Sequence, residues 1–294
     1  MTTPRLFCFG IGYSAQVLIA ELQGAGWRIA GTTRSPEKAA TLRAQGIDAH
    51  VFDRGRPLAE PEAALAGTTH LLSSVPPDGQ GDAVIDEHGA SLRKLAGEIE
   101  WAGYLSTTGV YGNRDGGWVD ETDELEPTSE RSQRRVAAET AWRELADATG
   151  LPLHIFRLAG IYGPGRSPLD SARAGNARRI HKPGHVFSRI HVADIAQVLR
   201  ASFAHPDPGR IYNVCDDQPA DPATVTAYAC QLAGVEPPPL VPVEEAGLSQ
   251  MAWTFWRDNK RVDNTRMHDE LGVELHYPDY RVGLDALAAA ASEA

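Results

Sequence analysis

Leu6–Leu22, LFCFGIGYSAQVLIAEL, carries the order of residue types from which the fold follows. A short apolar run, Arg5–Phe9, stops at Gly10, and a helix-like pattern runs from Ser14 to Ala25. The connection is Gly10-x-Gly12-x-x-Ala15, and each fixed position has a physical task. Gly10 permits a tight turn, Gly12 lets a pyrophosphate approach the backbone, and Ala15 keeps the helix close to the strand. The helix N-terminus adds N–H groups and the positive end of its dipole. Ile11, Tyr13 and Ser14 share this turn and would border the same ligand. The competing reading is a tight turn that holds nothing. Placement of the pattern in the first strand–turn–helix of the chain speaks for the ligand.

Outward from this turn, strand and helix patterns alternate. Trp27–Thr33 reads as a second strand, and Pro36–Gln45 as a helix stopped by Gly46. Asp48–Asp53, Thr69–Val75, Glu100–Thr107 and Leu151–Leu158 are further strands, with helical segments between them. Such alternation predicts an α/β fold built on a parallel sheet covered on both faces. After Leu158 the texture changes to loops rich in Gly, Pro and Arg with short helices, one more strand in GRIYNVCDD, and an alanine-rich terminal helix. The expected organisation is a nucleotide-binding domain over residues 1–160 and a smaller C-terminal lobe over 161–294, partly interleaved with it.

Composition limits the function classes. The 294 residues are 42 % hydrophobic, enough for a sizeable core. The formal charge is −11, from 28 basic and 39 acidic side chains, which argues against a nucleic-acid partner. No run approaches the roughly 18 apolar residues of a membrane helix, and the N-terminus lacks a signal-peptide pattern. Cys8, Cys215 and Cys230 are few and far apart, which suits buried small hydrophobes in a reducing cytoplasm. No metal-ligand spacing is present, so no metal is expected.

The second strand ends GTTRS, with Arg34 between Thr33 and Ser35 and no carboxylate to take a ribose 2′-hydroxyl. An arginine flanked by hydroxyls suits a 2′-phosphate, which favours NADP as cofactor while leaving NAD open. Asp53, after the third strand, could accept a hydrogen bond from the adenine amino group, or serve only as a turn residue.

Four further stretches line up in order: YLSTTGVYG (Tyr104–Gly112), FRLAGIYGPGR (Phe156–Arg166), SRIHVADIAQVL (Ser188–Leu199) and GRIYNVCDDQP (Gly209–Pro219). Together with the glycine turn, the chain resembles extended short-chain dehydrogenases/reductases of the NAD(P)-dependent epimerase/dehydratase group, from Leu6 to about Leu287. The resemblance implies a Rossmann doubly wound sheet with a substrate lobe formed by the C-terminal half. It also implies a catalytic Ser or Thr at Thr107, cofactor-lining positions at Ser73, Ser74 and Val75, and positions near the nicotinamide at Gly160 and Ile161. Tyr111 and Tyr162 match pocket-shaping positions, and Tyr111 joins Thr107 as a catalytic candidate.

One feature of the family is missing. Its helix after the fifth strand carries a tyrosine and, four residues on, a lysine. Aligning PTSERSQRRVAAE on its proline and AAE puts Arg131 and Arg135 at those positions, with Ser129 as the helix N-cap. No tyrosine lies between Gly112 and Leu158. Arginine cannot exchange a proton near neutral pH, so the chain resembles the atypical branch without the Tyr-x-x-x-Lys pair. Arg131 and Arg135 could instead hold an anionic substrate, with Arg189, Asn259 and Arg261 as further contacts, whereas Arg134 suits a solvated helix face. His191 and Asp194 suit structural roles. The expected function is an NAD(P)-binding oxidoreductase, epimerase or dehydratase acting on a small, sugar-like or anionic metabolite. The alternative is a non-catalytic NADP(H) sensor or regulator. The family's four-helix interface, here about Val84–Ile99 with Ser129–Thr149, makes a homodimer the alternative to a monomer.

Overall fold

The computed structural model describes residues 3–291. Its main sheet has seven parallel strands: β1 (Arg5–Phe9), β2 (Arg28–Thr33), β3 (Asp48–Val51), β4 (His70–Ser73), β5 (Trp101–Thr107), β7 (Leu153–Leu158) and β11 (Ile211–Val214). They lie in the order β11-β7-β5-β4-β1-β2-β3. From β1 the chain runs outward to β2 and β3, then returns to place β4 on the other side of β1. The direction therefore reverses at the C-terminal end of β1, where Gly10 stands, and open α/β sheets bind ligands at such a point. β1 and β7 are buried throughout, as expected of central parallel strands covered on both faces.

The connections are α1 (Tyr13–Gly24), α2 (Pro36–Ala44), α3 (Pro61–Leu65), α4 (Ala83–Leu95), α5 (Glu130–Thr149) and α7 (Val192–Ala204). Ser35 caps α2, accepting from the Lys38 N–H at 3.2 Å, with Pro36 in the first turn. Ser129 caps α5 as its sequence predicts, accepting from the Ser132 N–H at 3.2 Å. Asp82 caps α4 and also accepts from Trp142 Nε1 of α5 at 3.1 Å, tying the two helices together. Phe7, Phe9, Phe52, Leu71, Tyr104 and Trp142 belong to one core cluster.

A buried ion pair joins α5 to the sheet. Arg157 of β7 donates to both oxygens of Glu139, at 3.2 and 2.8 Å, and Ser106 of β5 donates to Glu139 Oε1 at 2.5 Å. β3 is shorter than predicted because Asp53 turns back onto Arg56 through two backbone hydrogen bonds, of 3.2 and 2.9 Å. Gly55 takes the left-handed conformation in that turn, at φ +75°.

The chain divides into two compact units that interleave more than a split near residue 160 allows. The first comprises Met1–Thr107, Gln133–Arg157 and Ala196–Tyr212; the second comprises Thr108–Ser132, Leu158–Ile195 and Asn213–Ala294. Three strand pairs belong to the second unit. β6 (Trp118–Val119) pairs with β13 (Arg261–Val262), β8 (Gly160–Tyr162) with β10 (Arg189–His191), and β9 (Arg179–His181) with β12 (Leu240–Pro242).

Its helices are α6 (Pro168–Arg173), α8 (Pro222–Ala233), α9 (Gln250–Arg257), α10 (Thr265–Leu271) and α11 (Tyr280–Ala290). Tyr162, Leu169, Val225, Ala229, Tyr280 and Leu284 pack into its main core. The Tyr162 hydroxyl is pressed onto α11 where a side chain at Gly283 would collide with it. The predicted terminal helix thus ends at Ala290, and the last three residues of the alanine-rich tail lie outside the described residues. All three cysteines are buried and free, and burial pushes the Cys8 thiol up to about 12. Among the described residues no helix is long and apolar enough to cross a membrane.

Candidate functional site

The glycine turn is built as its sequence asks. Gly10 adopts φ +84°, and a side chain there would meet Val75 Cγ2 at 3.0 Å and Ser74 Oγ at 3.1 Å. Its N–H donates to Thr32 Oγ1 at 2.8 Å, and Ile11 N–H donates to Thr32 O at 2.7 Å, so β2 fixes the loop from one side. Ser74 fixes it from the other, donating its hydroxyl to Gly10 O. At Gly12, by contrast, an added Cβ would find only Gly10 O, at 3.9 Å. Gly12 caps α1 with no side-chain hydrogen bond, and the first turn holds no acidic residue. Open space and a helix terminus with no side-chain cap suit a pyrophosphate. Ile11, Ser14 and Ala15 are buried, which fixes the turn, while Gly12 and Tyr13 are half-buried.

At the end of β2 the expected residues separate. Arg34 is exposed, whereas Thr33 is buried. The Ser35 hydroxyl is spent on capping α2 and on donating to Glu37 Oε2 at 2.5 Å, so it has little left for a ligand. Two cations not singled out in the sequence stand here. Lys38 Nζ donates to Ile11 O and Arg56 Nη2 donates to Arg34 O, both at 2.7 Å. Asp53 is exposed at the turn after β3, where its Oδ1 accepts from Arg54 N–H at 3.0 Å. Of the three positions at the end of β4, Ser73 is fully enclosed, while Ser74 and Val75 pack on Gly10.

Beyond β5 the picture changes. Thr107 is half-buried at the strand end. Tyr111, read as a catalytic candidate, is wholly buried and donates its hydroxyl to Asn213 Oδ1 at 2.7 Å. The hydroxyl is thus engaged within the protein. Arg135 donates through Nη1 to the Tyr104 hydroxyl at 3.0 Å and to Leu105 O at 2.7 Å. Burial raises the Tyr104 hydroxyl well above its ordinary pKa, although the Arg135 charge opposes this. Arg131 sits with its guanidinium 5.8 Å from the ring centre of Phe255, which is itself half exposed. Arg134 is exposed, as a solvated helix face requires, with its guanidinium near Gly79.

The remaining candidates lie in the second unit and hold backbone together. Arg189 donates to Phe187 O at 2.9 Å and Ala220 O at 3.2 Å, and β10 pairs it with Gly160. Gly160 is exposed and Ile161 half-buried on β8. Asn259 donates to Gly184 O at 3.0 Å and accepts from Val186 N–H at 3.1 Å. Arg261 donates to Gly116 O. These long polar residues fasten loops, which their positions in the sequence do not reveal. Asp194 accepts from the His276 and Tyr277 N–H groups at 2.9 and 3.2 Å, as a structural role requires. Burial pushes its carboxyl up to about 6, and burial holds the His191 imidazole down to about 4.

Comparison with known proteins finds a family model that matches part of this chain, and several proteins similar to it along nearly its whole length. Residues 90–215 match the model of the NAD dependent epimerase/dehydratase family. A functionally unknown conserved protein from Silicibacter pomeroyi is 51 % identical, over 98 % of this chain and 99 % of that one, with a TM-score of 0.91. Protein YeeZ of Escherichia coli K12 is 28 % identical over 92 % of this chain and 95 % of its own length. The dTDP-glucose 4,6-dehydratase of Bacillus anthracis, solved in complex with NAD, is 15 % identical. It covers 99 % of this chain and 97 % of its own, at a TM-score of 0.76, which speaks to the fold.

Proposed function

We propose that this chain, part of which matches the NAD dependent epimerase/dehydratase family model, is a dinucleotide-binding enzyme of an atypical branch of that family, acting on a small sugar-like or anionic metabolite. The observation that carries the proposal is the state of α5. At the tyrosine and lysine positions stand Arg131, against the Phe255 ring, and Arg135, bonded to Tyr104 and Leu105. Neither guanidinium can lose its proton near neutral pH. The enzyme therefore works without the family's tyrosine as acid–base group.

The glycine turn fits a nicotinamide dinucleotide. Backbone of Gly10, Ile11, Gly12, Tyr13, Ser14 and Ala15 would take the pyrophosphate, and Arg34 a 2′-phosphate, which makes NADP the preferred cofactor. When bound, such a cofactor supplies a hydride acceptor or donor. Thr107 is the residue that holds the substrate oxygen by hydrogen bonding. With Tyr111 enclosed, the proton comes from the substrate itself or from water. Arg189, Asn259 and Arg261 contribute by shaping the loops around them.

A second reading is a dinucleotide sensor without turnover, and it is favoured by the same fact that both arginines engage protein groups. Oxidation of bound NADPH by a panel of carbonyl metabolites separates the two, since a sensor leaves the absorbance of the reduced nicotinamide unchanged. The atypical reading is tested by assaying wild type and the Arg131→Tyr/Arg135→Lys variant against a nucleotide-sugar panel. We expect little alcohol dehydrogenation from either, because positioning supplies many kcal/mol of the barrier and two side chains do not restore it. Robust turnover by the wild type would overturn the atypical assignment.

A further inference from the structure

We infer that Arg189 and Asp216 form a proton-operated clamp on the bridge between Phe187 and Ala220, a device that does not depend on the dinucleotide reading. The bridge joins the segment before β10 to the segment before α8. Phe187 N–H donates to Ala220 O at 3.0 Å, and Ala220 N–H donates to Phe187 O at 3.1 Å. Arg189 Nη1 donates to the same two carbonyls, at 2.9 Å to Phe187 O and 3.2 Å to Ala220 O. Its guanidinium also lies 6.0 Å from the Phe187 ring centre. One cation thus holds both halves of the bridge. Asp216 is anchored beside it, because its N–H donates to Arg189 O at 2.6 Å. β10 passes the restraint on to β8, where Arg189 pairs with Gly160 and Ile190 with Ile161.

Asp216 is only 1 % exposed, and neither of its carboxyl oxygens has a hydrogen-bond partner among the described residues. An ionised carboxylate held there is desolvated and unbonded, the costliest way to bury one, and a neutral acid avoids most of that cost. Burial pushes the Asp216 carboxyl up to about 8, and the Asp217 charge adds to the rise. The Arg189 charge and the backbone of Arg189 and Gln218 oppose it. The other charged groups around the pair have their own partners. Asp217 accepts from Asn264 Nδ2 at 2.8 Å and faces His268 Nε2 at 3.0 Å, while Asp221 caps α8. From β8 the Tyr162 hydroxyl is raised by burial and by the charges of Asp216 and Asp194. Tyr280 of α11 and Asp221 act on the guanidinium, and the Cys215 thiol is raised by burial. Near neutral pH the acid therefore keeps its proton and leaves the guanidinium to the two carbonyls. When that proton passes to water, the new carboxylate attracts the guanidinium, and the carbonyls lose their shared donor.

The experiment is amide hydrogen–deuterium exchange of the Phe187 and Ala220 segments in wild type, Asp216→Asn and Arg189→Met, at about pH 6 and about pH 9. Comparison at equal pH cancels the intrinsic rate. Asp216→Asn mimics the neutral acid, and Arg189→Met removes the shared donor. At the lower pH wild type should match Asp216→Asn within about twofold and exchange about tenfold more slowly than Arg189→Met. At the higher pH it should exchange about tenfold faster than Asp216→Asn and approach Arg189→Met. Melting curves give a second readout. Unfolded aspartate titrates near about 3.9, and the folded value is the higher one. The stability contributed by neutral Asp216 is therefore fully present below about 3.9 and is lost as pH rises towards about 8. Wild type should lose melting temperature relative to Asp216→Asn across that window and run parallel to it above. Parallel curves throughout would mean an ordinary carboxylate, and the clamp falls. Lost stability with exchange still within about twofold of Asp216→Asn at the higher pH would mean a buried acid that operates nothing, and the clamp falls again. Circular dichroism checks folding. If Asp216→Asn does not fold, wild type and Arg189→Met decide alone: their exchange rates must converge as pH rises, and a constant ratio overturns the proposal.

Discussion

The turn between β1 and α1 and the first two turns of α5 are both, by family resemblance, places where ligand chemistry is expected. They have gone different ways. The turn works through backbone: Gly10 fits because of its φ of +84°, and Gly12 because it leaves space open. Such a site needs residues to be absent more than present, and the whole apparatus lies within six positions. Helix α5 would work through side chains. Those now serve the protein, with Arg135 on Tyr104 and Leu105 and Arg131 on Phe255. Its fastening to the sheet remains intact through Glu139, Arg157 and Ser106. On the proposed reading, a binding turn and a helix scaffold persist while the acid–base group between them is changed, which would make dinucleotide binding and tyrosine chemistry separable properties of this architecture.

The most severe test of that contrast is Gly12→Val. A branched side chain would fill the open space above the turn, and binding of both dinucleotides should fall by more than a hundredfold, about 3 kcal/mol or beyond, with the fold retained. Fluorescence titration showing wild-type affinity would break the comparison at its first term.

Next in size is Glu139→Ala. It leaves the Arg157 guanidinium buried without its carboxylate, which should cost about 3–5 kcal/mol in urea unfolding. A loss below about 1 kcal/mol would show that α5 is fastened by apolar packing alone. Arg34→Ala should weaken NADPH by about 1.5–3 kcal/mol and NADH much less, and equal losses would remove the basis for NADP. Arg135→Ala strands the Tyr104 hydroxyl and should lower stability by about 1–3 kcal/mol. An unchanged midpoint would mean that Arg135 is free to serve a ligand after all.

The smallest effect concerns His185, in the second unit. It is buried and stacked on Trp256, with ring centres 5.2 Å apart. Burial, then the Lys182 and Lys260 charges, hold its imidazole down to about 4, against the opposing charge of Asp221. Unfolded, it titrates near 6.5. Because its folded pKa is the lower one, its contribution to stability is fully present above about 6.5 and is lost as pH falls towards about 4. His185→Phe should therefore gain in melting temperature relative to wild type as pH is lowered through that window. Parallel curves would contradict this. His70 and His191 share the window, so only the difference between the two proteins is informative.

Much of the fold was legible before any coordinates. Strand–helix alternation gave the parallel sheet, and the caps at Ser35 and Ser129 lie where the helix starts predict them. Strand ends were less legible. Asp53 looks like a continuation of β3 until its turn onto Arg56 is seen. The buried pair left one sequence signal, a single arginine in the apolar run LHIFRL, but nothing in that run names Glu139 as its partner. Asn259 and Arg261 read as ligand contacts in the sequence, which does not show that they also hydrogen-bond to Gly184 O and Gly116 O.

By itself the sequence determined the glycine turn after the first strand and the arginines at the start of α5, since both depend on residue identity over a few neighbouring positions. Backbone sterics and hydrogen bonding act there locally, whatever the rest of the chain does. Only the tertiary structure decided that Tyr111 is enclosed, that Arg135 is held on β5, and that Lys38 bonds to Ile11 O while Arg56 bonds to Arg34 O. A long polar side chain takes its partner from whichever strand or turn the sheet brings beside it, and that neighbour is set by strand order, not by distance along the chain.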